Sequence, residues 1–222
     1  MRGVFITLEG ADGCGKSTQA ALLGDVIEAS GREVVRLREP GGTLISEKIR
    51  ELVLDPDNGQ MAPECELLLF EASRAQLVCQ VIEPALERGV VVLCDRYYDS
   101  TYAYQAAGRS LGEDVIRRAN ALGSCGVDPD LTLVLDMPAD AALARATRNG
   151  ADRMEAEGAA FQRRVREGYL RLAKEEPARV HVVDAAGTRD EVLARLVAEA
   201  AALLPGLVAA PPVAAPTGGS PR

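Results

Sequence analysis

Apolar residues along the chain keep two rhythms. Short runs at residues 3–8, 33–37, 90–94, 131–135 and 179–183 read as strands. Val90-Val91-Val92-Leu93-Cys94 and Leu131-Thr132-Leu133-Val134-Leu135 are nearly unbroken, as expected of strands covered on both faces. Between these runs, residues 17–30, 44–54, 63–88, 139–147, 157–174 and 190–204 read as helices. Gly31 stops the first, and Pro84 kinks or ends the third. Gly41-Gly42 marks a turn, and Asp55-Pro56-Asp57-Asn58-Gly59 is a loop by composition. Strands alternate with helices, so the expected fold is α/β, a parallel five-stranded sheet flanked by helices on both faces. A ligand site in such a sheet lies at the carboxyl ends of the strands.

The pattern changes at residue 205. Residues 205–222 hold five prolines, three glycines, no acid and no aromatic residue. Such a segment buries too little apolar surface to offset its chain entropy, so 1–204 reads as the domain and 205–222 as a disordered extension. A role as a proline-rich ligand is the alternative for that tail.

Composition narrows the chemistry. The 222 residues carry a net charge of -8, which disfavours a nucleic acid polymer as partner. His181 is the single histidine, too little for a His-based metal site or a Ser-His-Asp triad. Cys14, Cys65, Cys79, Cys94 and Cys125 are odd in number and include no CxxC, so reduced thiols are expected. The first nine residues are apolar only briefly, which predicts neither a signal segment nor a membrane span and makes the cytoplasm the expected location.

Gly10-Ala11-Asp12-Gly13-Cys14-Gly15-Lys16-Ser17 fits GxxxxGK[ST] between a strand and a helix. Glycines let backbone N–H groups turn in around phosphates, and the helix N-terminus adds its positive end. Together with Thr18, the loop predicts a P-loop NTPase-type site for a nucleoside triphosphate, with Lys16 on the β- and γ-phosphates and Ser17 on Mg²⁺. Asp12 is an anion inside a phosphate loop and needs a compensating partner, either a sugar hydroxyl or a metal-bound water, unless it is a solvated turn residue. A guanine-reading NKxD is absent, and Asp184-Ala185-Ala186-Gly187 comes too late for a GTPase switch.

Further along stand Arg38-Glu39-Pro40-Gly41-Gly42, Phe70-x-x-x-Arg74, Asp95-Arg96-Tyr97, Ser100-Thr101 and Gln105 within STYAYQ, Pro129-Asp130-Leu131-Thr132, and Asp152-Arg153-x-Glu155. In this order and spacing they resemble the thymidylate kinase family over about residues 3 to 204. The resemblance implies phosphorylation of dTMP to dTDP by MgATP for dTTP synthesis, and a homodimer. It implies that Arg38 and Arg96 hold the dTMP phosphate, and that Arg74 reaches the base while Phe70 stacks on it. Ser100, Thr101 and Gln105 would meet the base edge, Tyr104 would crowd the sugar 2′ position, and Asp12 would accept the 3′-hydroxyl. Phe70 and Arg74, four apart, share a helix face in any case. Asp95 either holds a Mg²⁺ water or orients Arg96.

Residues 145–156 contain Arg145, Arg148 and Arg153 around Gly150, which suits a small helical lid. The phosphate loop has only Lys16 as a cation, so further charge for phosphoryl transfer must come from elsewhere. The resemblance implies a catalytic arginine in the lid, Arg148 first and Arg153 second, with Arg145 beside the nucleotide. The competing readings are another nucleoside monophosphate or deoxynucleoside kinase, and a nucleotide-dependent switch. The switch leaves Arg38, Phe70, Arg74, Arg96 and Tyr104 without a task.

Overall fold

The computed structural model describes residues 2–147 and 152–208. All five expected strands form: β1 (Phe5–Glu9), β2 (Val34–Arg38), β3 (Val91–Asp95), β4 (Leu131–Asp136) and β5 (Val180–Asp184). They pair in parallel in the order β2-β3-β1-β4-β5, with β1 at the centre. Register places Leu8 and Arg38 on either side of Asp95, so three carboxyl ends converge.

The period-two alternation of each strand divides the core. Ile6, Leu8, Val91, Leu93, Leu131, Leu133 and Leu135 face one side, against Leu23 and Ile27 of α1 (Lys16–Ala29) and Val192 and Leu196 of the C-terminal helix (Arg189–Ala200). Phe5, Val92 and Cys94 face the other side. They pack on Leu77 at the end of α3 (Pro63–Leu77), Ile82, and Leu86 of α4 (Glu83–Glu87). On that same side Val134 and Val180 meet Val165 and Tyr169 of a long helix, Ala159–Glu175. Both faces are therefore dry, which is why the strands read as apolar runs.

α2 (Leu44–Leu54) forms where expected, capped by the Thr43 side chain, which accepts from the Ser46 N–H. The expected helix over 63–88 is not a regular α-helix: a π-helical turn at Val78–Ile82 separates α3 from α4. Pro84 lacks an N–H and crowds the carbonyl four residues back, and the wider turn absorbs both defects.

Two helical segments lie between β3 and β4 that the apolar pattern does not announce. α5 (Tyr98–Thr101) runs into a π-helical stretch at Tyr102–Gly108, whose wide turns break the 3.6-residue repeat. α6 (Glu113–Gly123) buries only Ile116, Asn120 and Gly123, so its apolar stripe is thin. After them come α7 (Ala139–Ala146), α8 (Ala159–Glu175) and α9 (Arg189–Ala200).

The chain stays packed beyond residue 204. Leu204 and Leu207 are buried in the α1–α9 core, and Arg32 donates to the Pro205 carbonyl at 2.7 Å. The packed region thus passes the expected boundary by three residues, because one more leucine returns to the core. The rest of the expected tail, 209–222, and residues 148–151 of the expected lid lie outside the described residues. The described flanks of that lid are the end of α7 and a 3₁₀ turn at Glu155–Glu157. Among the described residues, no helix is long and apolar enough to cross a membrane.

Candidate active site

A cleft of about 460 Å³ opens at the carboxyl ends of the strands. One wall is the phosphate loop. Gly10 and Gly13 have φ of 139° and 81°, and a Cβ would sit 2.6 Å from the Leu135 carbonyl oxygen or 2.0 Å from that of Ala142. Only glycine lets the loop pass this close to β4 and α7. Ala11 and Cys14 are buried in the core beneath, so the loop meets a ligand through its backbone at these positions. Lys16 is buried, and its Nζ donates to the Ala11 carbonyl at 2.8 Å, which folds the cation back over the loop. Thr18 and Arg145 also line the cleft.

Ser17 Oγ donates to Asp95 Oδ2 at 2.5 Å. Asp95 Oδ1 is buried and has no hydrogen-bond partner among the described residues. A hydroxyl and a carboxylate with one uncommitted oxygen fit Mg²⁺, which takes one or two protein oxygens and completes its shell with phosphates and water. Among the described residues no group of three or more His, Cys, Asp and Glu could cage a metal unaided. Of the two tasks open for Asp95, the contact present is to Ser17.

The opposite wall is organised around Arg96, the first residue after β3, which sits at φ 73°. A non-glycine residue in this left-handed region is held there by its surroundings. The guanidinium donates to Ser100 Oγ at 3.0 Å, Tyr104 OH at 3.0 Å, the Gly10 carbonyl at 3.2 Å and Tyr169 OH at 3.3 Å, and it pairs with Asp12. Tyr104 OH donates to the second Asp12 oxygen at 2.7 Å. Burial opposes ionisation of Asp12, but the Arg96 and Lys16 charges and the Tyr104 hydroxyl outweigh it and hold its pKa below the ordinary value.

Beneath Arg96 lies Glu9, fully buried. It accepts from Tyr97 N–H at 2.6 Å, Ser100 OH at 2.6 Å and Tyr169 OH at 2.8 Å. Burial, with the nearby Asp99 charge, pushes its pKa up to about 7 despite Arg96 and the two hydroxyls. Ser100, expected at a base edge, is therefore already engaged between Glu9 and Arg96.

Phe70, Arg74, Thr101 and Gln105 all line the cleft as the motifs imply. Arg74 is nearly inaccessible: its Nε donates to Glu39 at 2.8 Å and its Nη1 to Glu71 at 2.6 Å. Two carboxylates share this one guanidinium, and burial raises Glu39 to about 8 even against the Arg74 charge. Gln105 Nε2 donates to Glu66 at 2.7 Å, which fixes the amide. Arg38 lines the cleft and spans Pro40 and Glu47.

Four contributors were missed in the sequence. Arg50 of α2 enters the cleft, donates to the Pro40 carbonyl at 2.9 Å, and has its pKa lowered by burial and then by the Arg38 charge. No local pattern marks it; only the packing of α2 across the turn after β2 brings it in. Gln162 and Tyr169 of α8 reach Asp12 and Arg96 from a helix that reads as ordinary amphipathic structure. Glu9 was missed as well, although a signal for it exists: an acid at the carboxyl end of a buried strand stands at the ligand edge, as Arg96 does.

Arg153, the second choice for the lid cation, sits away from the cleft. It is buried, donates to the Val53 carbonyl at 2.7 Å and pairs with Glu66 at 2.6 Å, and is absent from the lining of the cleft. It pins the last part of the expected lid segment to α2 and α3, because Glu66 is a buried carboxylate that needs cations. Arg148 lies outside the described residues.

The comparisons with known proteins agree with this geometry. A family model described as thymidylate kinase matches residues 8–196. The chain is 49% identical to the thymidylate kinase of Syntrophotalea carbinolica, over 86% of this chain and 92% of that one. It is 51% identical to the thymidylate kinase of Clavibacter michiganensis subsp. michiganensis, over 92% and 97%. The crystal structure of thymidylate kinase from Ehrlichia chaffeensis superposes with a TM-score of 0.73 at 33% identity, covering 92% of this chain and all of that one. A family model over most of the chain, relatives matched at about half identity and a sheet shared with a solved relative place the chain, with its phosphate loop facing an arginine-bearing wall, in the thymidylate kinase family.

Proposed function

We propose that the cleft binds MgATP on the phosphate-loop side and dTMP on the Arg96 side, and that the chain transfers the γ-phosphoryl group directly between them to give dTDP. The observation that carries this reading is the Asp12–Arg96–Tyr104 cluster, in which one loop carboxylate belongs to both walls.

Lys16 and the loop N–H groups hold the donor phosphates. Mg²⁺, held through Ser17 and Asp95, would supply charge neutralisation there when bound. Arg96, Arg38 and Arg50 hold the acceptor phosphate; bidentate guanidinium contacts suit its oxygens. Phe70 stacks on the thymine, and Arg74, Thr101 and Gln105 face its edge. An incoming nucleotide takes over the internal pair: its phosphate engages Arg96 and its 3′-hydroxyl engages Asp12, leaving Tyr104 against the 2′ position. The acceptor phosphate is already a nucleophile, so no covalent enzyme intermediate is needed. Alignment alone supplies about 7–11 kcal/mol of the barrier reduction. Arg145 and Arg148 stabilise charge on the group in flight, and lid closure excludes water.

The same reading takes the chain as a cytoplasmic homodimer. Exposed Leu44 and Leu52 on α2, Leu68 on α3, and Val115 and Leu122 on α6 support an apolar face across three neighbouring helices, checked by sedimentation of the reduced protein.

The decisive experiment is ADP release with MgATP and each nucleoside monophosphate in turn. Strong turnover with dTMP and weaker turnover with dUMP is expected. Folded, ATP-binding protein with no dTMP-dependent turnover would reject the proposal.

A further inference from the structure

The five cysteines show no pairing pattern in sequence, but folding brings two together. Cys79 lies in the π-helical turn between α3 and α4, and Cys125 in the turn that ends α6. They are 46 positions apart in sequence, yet their Sγ atoms are 3.5 Å apart. That is sulfur–sulfur van der Waals contact, and a bond of about 2.05 Å needs a closing movement of only about 1.5 Å shared by two side chains. Both residues are exposed, whereas Cys14 and Cys94 are buried. Neither lies in regular α-helix: Cys79 occupies a widened turn, and Cys125 has φ 50° beside Gly126 at φ 78°.

We infer that Cys79 and Cys125 are a redox pair, which closes to an intrachain disulfide by exchange with a small-molecule disulfide. One protein thiolate attacks a sulfur of the small disulfide, forming a mixed disulfide and releasing one small thiol. The other protein sulfur then attacks the protein side of the mixed disulfide and the second small thiol leaves. The two protein thiols give up two electrons and two protons, and the small disulfide takes them up as two thiols.

The loop this bond closes, residues 79–125, carries Asp95, Arg96, Ser100, Thr101, Tyr104 and Gln105 from the acceptor wall and its metal-facing edge. The crosslink restricts the unfolded chain over that whole segment. The sulfurs already touch in the folded state, so the cleft keeps its geometry. Oxidation therefore stabilises the protein without switching it off. In a reducing compartment the pair stays open, and it closes only as the thiol–disulfide balance shifts.

The test uses the full chain incubated with glutathione disulfide. The expected result is loss of two of the five free thiols, a Cys79–Cys125 peptide by mass spectrometry, and no chain-to-chain bond on a non-reducing gel. Tm should rise by on the order of 5–10 °C, with turnover unchanged and the rise reversed by dithiothreitol. Cys79→Ser and Cys125→Ser, conservative surface changes, should each abolish the rise while folding normally. Five intact thiols, lasting glutathione adducts on the two cysteines separately, or a crosslink between chains would each overturn the inference.

Discussion

The phosphate-loop wall of the cleft, the proposed donor wall, is contiguous, running from Gly10 to Thr18 without leaving the chain. The proposed acceptor wall is assembled from β2, α2, α3, the end of β3 and the helical stretch after it. The donor wall presents backbone N–H groups, and its geometry depends on glycines that nothing else can replace. The acceptor wall presents guanidinium groups, and nearly every one arrives with a carboxylate: Arg96 with Asp12 and Glu9 nearby, Arg74 with Glu39 and Glu71, Arg38 with Glu47. A backbone cradle is rigid by its turns. A side-chain cradle must be held by counter-ions until the ligand supplies its own, so an acidic chain can still bind an anion.

The sharpest way to break this contrast is at the arginine that pairs with the loop carboxylate across the cleft. Arg96→Ala should lower kcat/KM for dTMP by about 10³-fold or more, since losing a single preorganised donor already costs roughly 10²–10³ in kcat. Lys16→Ala should fall in that range while dTMP affinity stays near wild type. Kinetics with each substrate varied would show whether the walls separate in this way; equal effects on both KM values for Lys16→Ala would contradict it.

Next in size is Arg153→Ala. Breaking a buried pair costs roughly 3–5 kcal/mol, and Glu66 retains Arg109 and Gln105, so the loss should sit at the lower end of that range. Denaturant unfolding should show it, with kcat for the folded fraction unchanged. A large kcat loss at full stability would restore Arg153 to the cleft.

Acidity gives a third test. Glu9 and Glu39 have folded pKa values of about 7 and about 8, above the ordinary carboxylate value. Their stabilising contribution is thus complete below about pH 4.5 and is lost as pH rises through 7 and 8. Glu9→Gln copies the protonated acid, so calorimetry from pH 5 to pH 8.5 should show the variant losing about 2–3 kcal/mol less than wild type. Parallel curves would mean that Glu9 ionises freely.

The smallest effect is expected at Arg50→Ala, where one of several cations around the acceptor phosphate is lost. KM for dTMP should rise about tenfold with kcat kept, equivalent to about 1.4 kcal/mol of binding. An unchanged KM would remove Arg50 from the acceptor site.

What was legible follows the same division. The phosphate loop, the five strands and α2 depend on neighbours within a few residues, and so show in the sequence as turns, unbroken apolar runs and a cap. The cleft residues Arg38, Phe70, Arg74, Arg96, Tyr104 and Gln105 stood out as a set through their resemblance to a known family, with Arg96 also marked by its place after a buried strand; their counter-ions did not. Arg153 read as a lid cation, because nothing near it in sequence announces Glu66, a buried carboxylate on another helix. α5 and α6 were missed because π-helical turns and a thin buried stripe leave no 3.6-residue rhythm.

The chain by itself therefore determined the layered α/β architecture and the phosphate loop, since short-range backbone geometry and burial periodicity settle these. Only the tertiary structure decided which arginines face the cleft, which are locked behind it, that Arg50 enters it, and that Cys79 meets Cys125. Each of these depends on charges or sulfurs brought together from distant segments, where desolvation makes every pairing a consequence of the whole fold.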